Sequence, residues 1–367
     1  MNKDIFFFIG TEAELIKLFP VILECRNRGL QYHMIASGQN DITKSRIIQE
    51  TACGEIALEL SKESDIRKSA VGLLVWWGKT YQSAVSKIRK RFENVKFEES
   101  YMVVHGDTVS TYMGARIGKK LGMTICHVEA GLRSHNILNP FPEEIDRMLT
   151  SRIARIHFAP GEYAVANLAK AKGRVVNTKQ NTLLDSLEYS KTIPLKSKIN
   201  SILDTDYFVF VMHRQENLAN RNLVEDVFGQ IVNLSRKKKC VIILHEITKN
   251  TLEKLGMIQS LEINPNITLL PRMDYFDFMK LLENAQFVIT DGGSNQEELY
   301  YMGKPTLILR KTTERQEGIG INARLYGGDI AEIEQFAQNY SKMQIQRQEK
   351  ALPSRMIVEE LEKYQLQ

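Results

Sequence analysis

The sequence predicts an α/β protein built from two doubly wound, Rossmann-like domains facing a cleft. Three observations point there. Short, continuous apolar runs recur along the chain, as expected of strands buried on both faces of a parallel sheet. Most of these runs are followed by a stretch of helical period, and the alternation occurs on both sides of a polar connector at 191–205. The length, 367 residues, is more than one ordinary core covers. The expected division is 1–190 and 191–344, with a C-terminal helix near 345–367 packing back on the first domain.

In order, a strand over 4–9 runs into Gly10 and a helix to about Arg28, with Thr11 and Glu14 at capping-box spacing. A second strand covers 31–36, a helix 41–52 and a weak strand 56–60. Residues 68–92 read as a long amphipathic helix whose apolar positions include Val71, Leu74, Val75, Tyr81, Val85 and Ile88. Strands at 102–104, 123–128 and 156–159 follow, then a helix over 162–172. In the second half, strands are expected at 207–212, 240–244, 267–270, 287–290 and 305–309. Helices are expected from 217 to 238, over 274–283, after Asp291 and along the 330–367 tail.

Composition narrows the function. Forty-nine basic against 44 acidic residues leave a net charge of +5, which suits a local anionic-substrate site better than a nucleic-acid surface. The run Arg236 to Lys239 reads as a solvated helix end. Cys25, Cys53, Cys126 and Cys240 show no CxxC pairing, and Cys25, Cys126 and Cys240 sit in apolar surroundings and read as reduced core residues, so neither a disulfide frame nor a zinc site is expected. No metal or cofactor is expected. No stretch is long and apolar enough for a signal core or a membrane span, so the expected location is the cytoplasm, with no nucleic-acid or membrane partner.

The chemistry concentrates in 101–147. One apolar run delivers His105-Gly106-Asp107-Thr108, a second delivers Glu129-Ala130-Gly131, and a proline-bracketed loop ends in Glu143-Glu144 before a helix carrying Arg147. Strand ends and a helix start line the ligand crevice of an open α/β sheet, so this stretch reads as the acid/base half of a nucleotide-sugar site. Each acid also has a structural reading. Asp107 could cap the next helix, Glu129 could pair with Arg133, and one of Glu143 and Glu144 could simply complement the helix dipole. Three carboxyls from separate elements at one crevice favour a joint task, because crowding drives their pKa values apart. In the second half, Asp291-Gly292-Gly293-Ser294 offers backbone N–H groups to a phosphate, and Glu298 could accept from a ribose diol. His213, Arg214 and Arg315 could neutralise a diphosphate leaving group.

These residues together resemble the UDP-N-acetylglucosamine 2-epimerase family, which has a fold of the GT-B type. The matching stretches are VHGDT, HVEAGLRS, PFPEEIDR, HFAP, NTLLDSL, HRQEN, DGGSNQEE, GKP and TTERQE, in family order over nearly the whole chain. The resemblance implies removal of the C2 proton with anti elimination of UDP, giving a 2-acetamidoglucal, followed by re-addition of UDP and reprotonation on the other face. It implies Asp107, Glu129 and Glu143 as acid/base residues, with His213 as a fourth catalytic residue contacting diphosphate or sugar. Lys17, Arg214, Gly292, Gly293, Ser294, Glu298 and Arg315 would bind substrate, while Arg133 and Arg147 would orient the acids. A homodimer acting on a UDP-sugar for surface-polysaccharide synthesis is the implied setting. The chain departs from the family pattern at Glu12, where Arg is usual, and at Gly292 to Ser294, where Ser-Gly-Gly is usual. It also departs at Gln39 to Ile42, where Gln-His-Arg-Glu holds an allosteric UDP-sugar, and at Gln180, where Gly is usual. The expected activity is therefore non-hydrolysing epimerisation of UDP-N-acetylglucosamine or a related UDP-2-acetamido sugar. The alternatives are a hydrolysing epimerase that releases N-acetylmannosamine and UDP, a GT-B glycosyltransferase, and a UDP-sugar-binding regulator without turnover.

Overall fold

The computed structural model describes residues 3–66, 70–135, 142–313, 315–347 and 352–365. The chain forms two compact units, Met1–Tyr189 with Lys350–Gln367, and Ser190–Glu349. Each is an all-parallel sheet between helices, as the alternating pattern predicts.

The first unit contains β1 (Ile5–Ile9), β2 (Tyr32–Ala36), β3 (Ile56–Glu59), β4 (Tyr101–His105), β5 (Thr124–Val128), β6 (Ile156–Ala159) and β7 (Arg174–Asn177), in the spatial order 3-2-1-4-5-6-7. The second contains β8 (Tyr207–Val211), β9 (Lys239–Leu244), β10 (Ile267–Pro271), β11 (Val288–Thr290), β12 (Thr306–Ile308) and β13 (Ala323–Leu325), in the order 10-9-8-11-12-13. Strand order reverses between β1 and β4 and again between β8 and β11. At such a reversal the connections leave in opposite directions and open a crevice at the carboxyl ends. The pairing of Ile5 with Tyr101 and of Val288 with Val209 brings those ends level.

Apolar packing fixes both sheets. In the first unit Phe6, Phe8, Met102 and Val104 pack with Trp76, Ala84 and Ile88 of the helix Ala70–Arg91 and with Met113 and Ile117 of the helix Val109–Leu121. In the second, Phe208, Phe210, Phe228, Phe287 and Phe336 form one cluster. All four cysteines are free and buried. The helix Pro353–Gln365 belongs to the first unit, where Arg28 pairs with Glu359 and Glu362, and Arg174 with Glu360. Among the described residues no helix is long and apolar enough to cross a membrane.

Several elements differ from the expectation. The helix expected over 41–52 covers only Arg46–Glu50, because the Asp41 carboxylate bonds Thr43 N–H in a local turn. The helix expected over 162–172 ends at Asn167, beyond which Ala169 and Ala171 N–H close tight turns onto Ala166 O and Leu168 O, and the strand β7 follows at Arg174. The helix expected from 217 to 238 is Arg221–Ser235, started by the Asn220 side chain and preceded by the short turn of helix Gln215–Leu218. On Ala70–Arg91 the inward positions are Trp76, Thr80, Ala84 and Ile88, whereas Val71, Leu74 and Val75 face outward. The start expected at 68 lies outside the described residues.

At the first switch point, Glu14 ties β1 to the turn after β4. Its carboxylate, 2% exposed, accepts from Gly10 N–H (2.5 Å) and Thr11 N–H (2.8 Å), and from the Thr108 (2.6 Å) and Thr111 (3.0 Å) hydroxyls. Thr11 completes a capping box with Glu14. Burial outweighs these bonds and raises the Glu14 pKa. Gly10 has no side chain for a steric reason: a Cβ would lie 2.3 Å from that of Ser110. Glu14→Ala would take the acceptor from the Gly10 and Thr11 N–H groups and from the Thr108 hydroxyl, while the Thr111 hydroxyl keeps His105 O, and should cost about 3–5 kcal/mol in denaturant unfolding, since each unmatched buried group costs about 1–3 kcal/mol. A loss below about 1 kcal/mol would show that the carboxylate does not hold the switch point.

Candidate active site

At the carboxyl ends of β4 and β5 the first unit gathers its acids. The turn after β4 places Asp107 next to Thr108, and Thr108, not Asp107, caps the following helix by exchanging bonds with Thr111. Asp107 is thereby released from capping and pairs with Arg147 Nη2. Glu129 follows β5 with φ of 62°, in the left-handed region that a non-glycine residue rarely adopts. Such strain persists only where surroundings enforce it. Here Lys17 and the Asn181 side-chain amide both donate to Glu129 Oε2, and His105 Nε2 lies 3.7 Å from the same oxygen. Lys17 and Glu129 are 6% and 7% exposed, so their attraction is little screened by water. Arg133 does not pair with Glu129. It bonds Glu144 at 2.5 Å instead.

The helix Glu143–Ile153 divides its acids between tasks. Glu144 is fully buried. Burial pushes its pKa up, but Ser134 N–H, Arg133 and Arg147 outweigh that and hold it below the usual carboxylate range. Glu144 is thus the structural member of the pair, and it positions both arginines. Glu143 is half-buried at the helix start. One turn on, Asp146 is 7% exposed, and its pKa is raised to about 7, first by burial and then by Asp107 and Glu143. Behind these acids His127 Nε2–H donates to Gly106 O at 2.7 Å, and burial pushes its pKa down to about 4. The neutral ring holds the turn that carries Asp107.

In the second unit the organising group is Asp291 at the end of β11, which is fully buried. It accepts from His213 N–H (3.0 Å), Arg214 N–H (2.9 Å) and the Asn217 side chain (3.1 Å), and its Oδ1 lies 3.1 Å from His213 Nδ1. Burial raises its pKa, but His213 and the two N–H groups outweigh that and keep it low. The His213 ring stacks on His245 at 4.5 Å and 15°. Burial, then His213 and Arg272, push the His245 pKa down to about 4. Gly292 is the N-cap of the helix Gly293–Met302, and a Cβ there would meet His213 Cε1 at 3.2 Å and Asn295 Oδ1 at 2.6 Å. Gly293 and Ser294 open that helix, where N–H groups lack partners within the helix. Glu298, 4% exposed, receives the Asn295 amide at 3.2 Å. Arg315 pairs with buried Glu297, and Arg214 with Glu216 at 2.8 Å.

The expected residues thus fall into two groups. Lys17, Asp107, Glu129, Arg133, Glu143 and Arg147 gather in the first unit, and His213, Arg214, Gly292, Gly293, Ser294, Glu298 and Arg315 in the second. Sequence reasoning missed Asn181, His105 and Asp146 in the first group and His245 in the second. His105 and His245 had a usable signal, a place at a strand end, and Asn181 and Asp146 lie within stretches that match the family. Among the described residues no cluster of three or more His, Cys, Asp or Glu is arranged to hold a metal ion.

Asp146 gives a test with a definite sign. The folded protein binds this proton more tightly than the unfolded chain, whose reference pKa is 3.8. The associated stability is complete below that value and is lost as pH rises to about 7. Asp146→Asn removes the loss. The variant should be more stable than the parent at pH 8, by up to about 4 kcal/mol, and level with it near pH 4. Denaturant unfolding at pH 4, 6 and 8 checks this, and a pH-independent difference would contradict it.

Comparison with known proteins follows the same lines. Residues 23–353 match the family model described as UDP-N-acetylglucosamine 2-epimerase. The UDP-N-acetylglucosamine 2-epimerase of Methanocaldococcus jannaschii is 31% identical over 338 residues, covering 88% of each chain. That of Bacillus subtilis is 28% identical, covering 90% of this chain and 84% of its own. A crystal structure of the M. jannaschii enzyme with UDP-GlcNAc and UDP superposes with a TM-score of 0.76 at 25% identity, over 98% of this chain and 99% of that one. The Neisseria meningitidis enzyme bound to UDP-GlcNAc gives 0.77 at 25% identity, over 98% of this chain and 100% of that one. With the family model spanning most of the chain and the two-sheet fold shared, the chain belongs to the UDP-N-acetylglucosamine 2-epimerase family.

Proposed function

We propose that the chain interconverts UDP-GlcNAc and UDP-ManNAc, or a closely related UDP-2-acetamido sugar, without hydrolysis. The observation that carries this is the acid set of the first unit. Asp107, Glu129 and Glu143 come from three separate elements. Thr108 takes the helix cap open to Asp107, and Glu144 takes both Arg133, the partner open to Glu129, and the inward place at the helix start that leaves Glu143 available. Inverting C2 requires a proton to leave one face and another to arrive on the opposite face, which calls for more than one positioned acid/base group.

In this reading a carboxylate of the set takes the C2 proton. The C–H pair becomes the C1–C2 double bond, and the C1–O bond breaks with its electrons on the UDP diphosphate. Arg214, Arg315, His213 and the N–H groups of Gly292 to Ser294 stabilise that charge, and Glu298 holds the ribose diol. UDP then adds back to C1 while a protonated carboxyl of the set delivers a proton to the other face of C2. Arg147 is paired with Asp107, and Lys17 with Glu129. The product would feed surface-polysaccharide synthesis in the cytoplasm, a setting that four unpaired cysteines suit.

We also propose a homodimer. Val71, Leu74 and Val75 are 71%, 72% and 50% exposed on one side of the helix Ala70–Arg91. Close by, Trp77 stacks between Tyr81 and Tyr112. A soluble monomer seldom leaves such a patch in water.

Two measurements test these readings. In D2O the enzyme should place solvent deuterium at C2 of UDP-GlcNAc. Asp107→Asn should cut turnover by about 100-fold or more with little change in affinity, as loss of a proton-transfer group does. No deuterium incorporation across UDP-2-acetamido sugars would sink the epimerase, and free N-acetylmannosamine would identify the hydrolysing reaction instead. Leu74→Asp should convert a dimer to a monomer in light scattering, whereas a monomeric parent would overturn the homodimer.

A further inference from the structure

A second cavity of the first unit lies against the helix Glu143–Ile153, along the face that carries Arg147, Met148, Ser151 and Arg152. It has a volume of about 490 Å³, in the range of small-molecule sites. One wall is Arg147 and Arg152 of that helix, the opposite wall is the turn carrying Lys170 and Lys172, and Arg133 closes one end. Among the described residues lining it there are five cations and no carboxylate.

The cations divide in two. Arg133 is matched by Glu144, and Arg147 by Asp107 and Glu144. Arg152, Lys170 and Lys172 make no ion pair among the described residues, so the cavity carries an excess of three positive charges. The wall that carries the lysines is anchored at two points. The Asn167 side chain donates to Gly131 O at 2.9 Å, and His157 Nε2–H donates to Lys172 O at 3.0 Å, which holds the turn against β6. Arg152, Lys170 and Lys172 are exposed, and lysines and arginines brought around one concavity suit a compact polyanion.

We propose that this cavity binds a small phosphorylated anion, either inorganic phosphate or a phosphate monoester, at a site separate from the substrate diphosphate. The occupant would reach the proton-transfer set through shared groups. A dianion in the cavity competes with Asp107 for Arg147 and with Glu144 for Arg133, so binding there should slow epimerisation without displacing the UDP-sugar. This coupling rests on the epimerase reading, and the binding site itself does not.

The test is calorimetric titration of inorganic phosphate, and in parallel of glucose 6-phosphate, into full-length protein saturated with UDP, at constant ionic strength. The parent should still bind phosphate. The triple variant Arg152→Gln, Lys170→Gln, Lys172→Gln should bind at least tenfold more weakly, with unchanged turnover in the absence of phosphate. Tighter binding of glucose 6-phosphate than of phosphate identifies an organic monoester as the occupant, and the reverse identifies free phosphate. Absence of binding to the UDP-saturated parent, or equal affinity in parent and variant, overturns the proposal. Failure of the parent to bind UDP at all counts against the epimerase reading, and the comparison of parent with variant still decides the cavity.

Discussion

Withdrawing a carboxylate from water costs several kcal/mol unless donors replace the lost hydration, and that constraint shapes both units. Glu14, Glu129, Glu144 and Asp291 are each at most 7% exposed. Glu144 meets the constraint with nearby groups, Arg133, Ser134 and Arg147, and the other three draw on distant stretches of chain. Glu14 joins β1 to the turn after β4, Glu129 joins that region to Lys17 and Asn181, and Asp291 joins β11 to the turn after β8. The buried acids therefore act as ties at the switch points, and the remaining polar groups are arranged around them.

This accounts for the division of labour among neighbouring residues. Glu143 and Glu144 are adjacent and chemically alike, but Glu144 turns inward to two arginines while Glu143 stays at the half-buried helix start. Thr108 takes the cap that its neighbour Asp107 could have taken. In each pair one residue serves the fold, which leaves the other available to a ligand. Residue type does not make the choice. The geometry of the following helix makes it.

The same reasoning separates what the sequence could disclose from what it could not. Strand interiors were readable because strands buried on both faces must be apolar throughout, as Phe6-Phe7-Phe8 and Val209-Phe210-Val211 are. Strands β7 and β13 went unread because they are short, Arg174 opens the one, Arg324 sits in the middle of the other, and each lies at the edge of its sheet. Asp107, Glu129 and His213 were found because a strand end is a local feature. Their partners are not local. Lys17 and Glu129 are 112 residues apart, and Asn181 and Glu129 are 52 apart. Lys17 was found through family resemblance, and Asn181 was not found as a partner. Asp146 sits inside a recognised motif, but its importance comes from burial beside two other acids, which no spacing shows.

The left-handed backbone at Glu129 has a further consequence. A side chain on an ordinary backbone can leave the chain along the usual direction and is then aimed by its contacts alone. At Glu129 the main chain turns the direction in which Cβ leaves, and Lys17 and Asn181 fix where the carboxylate at the far end comes to rest. The root of the acid and its tip are thus held by different parts of the molecule. A substitution at 17 or 181 would let the tip swing while the root stayed in place.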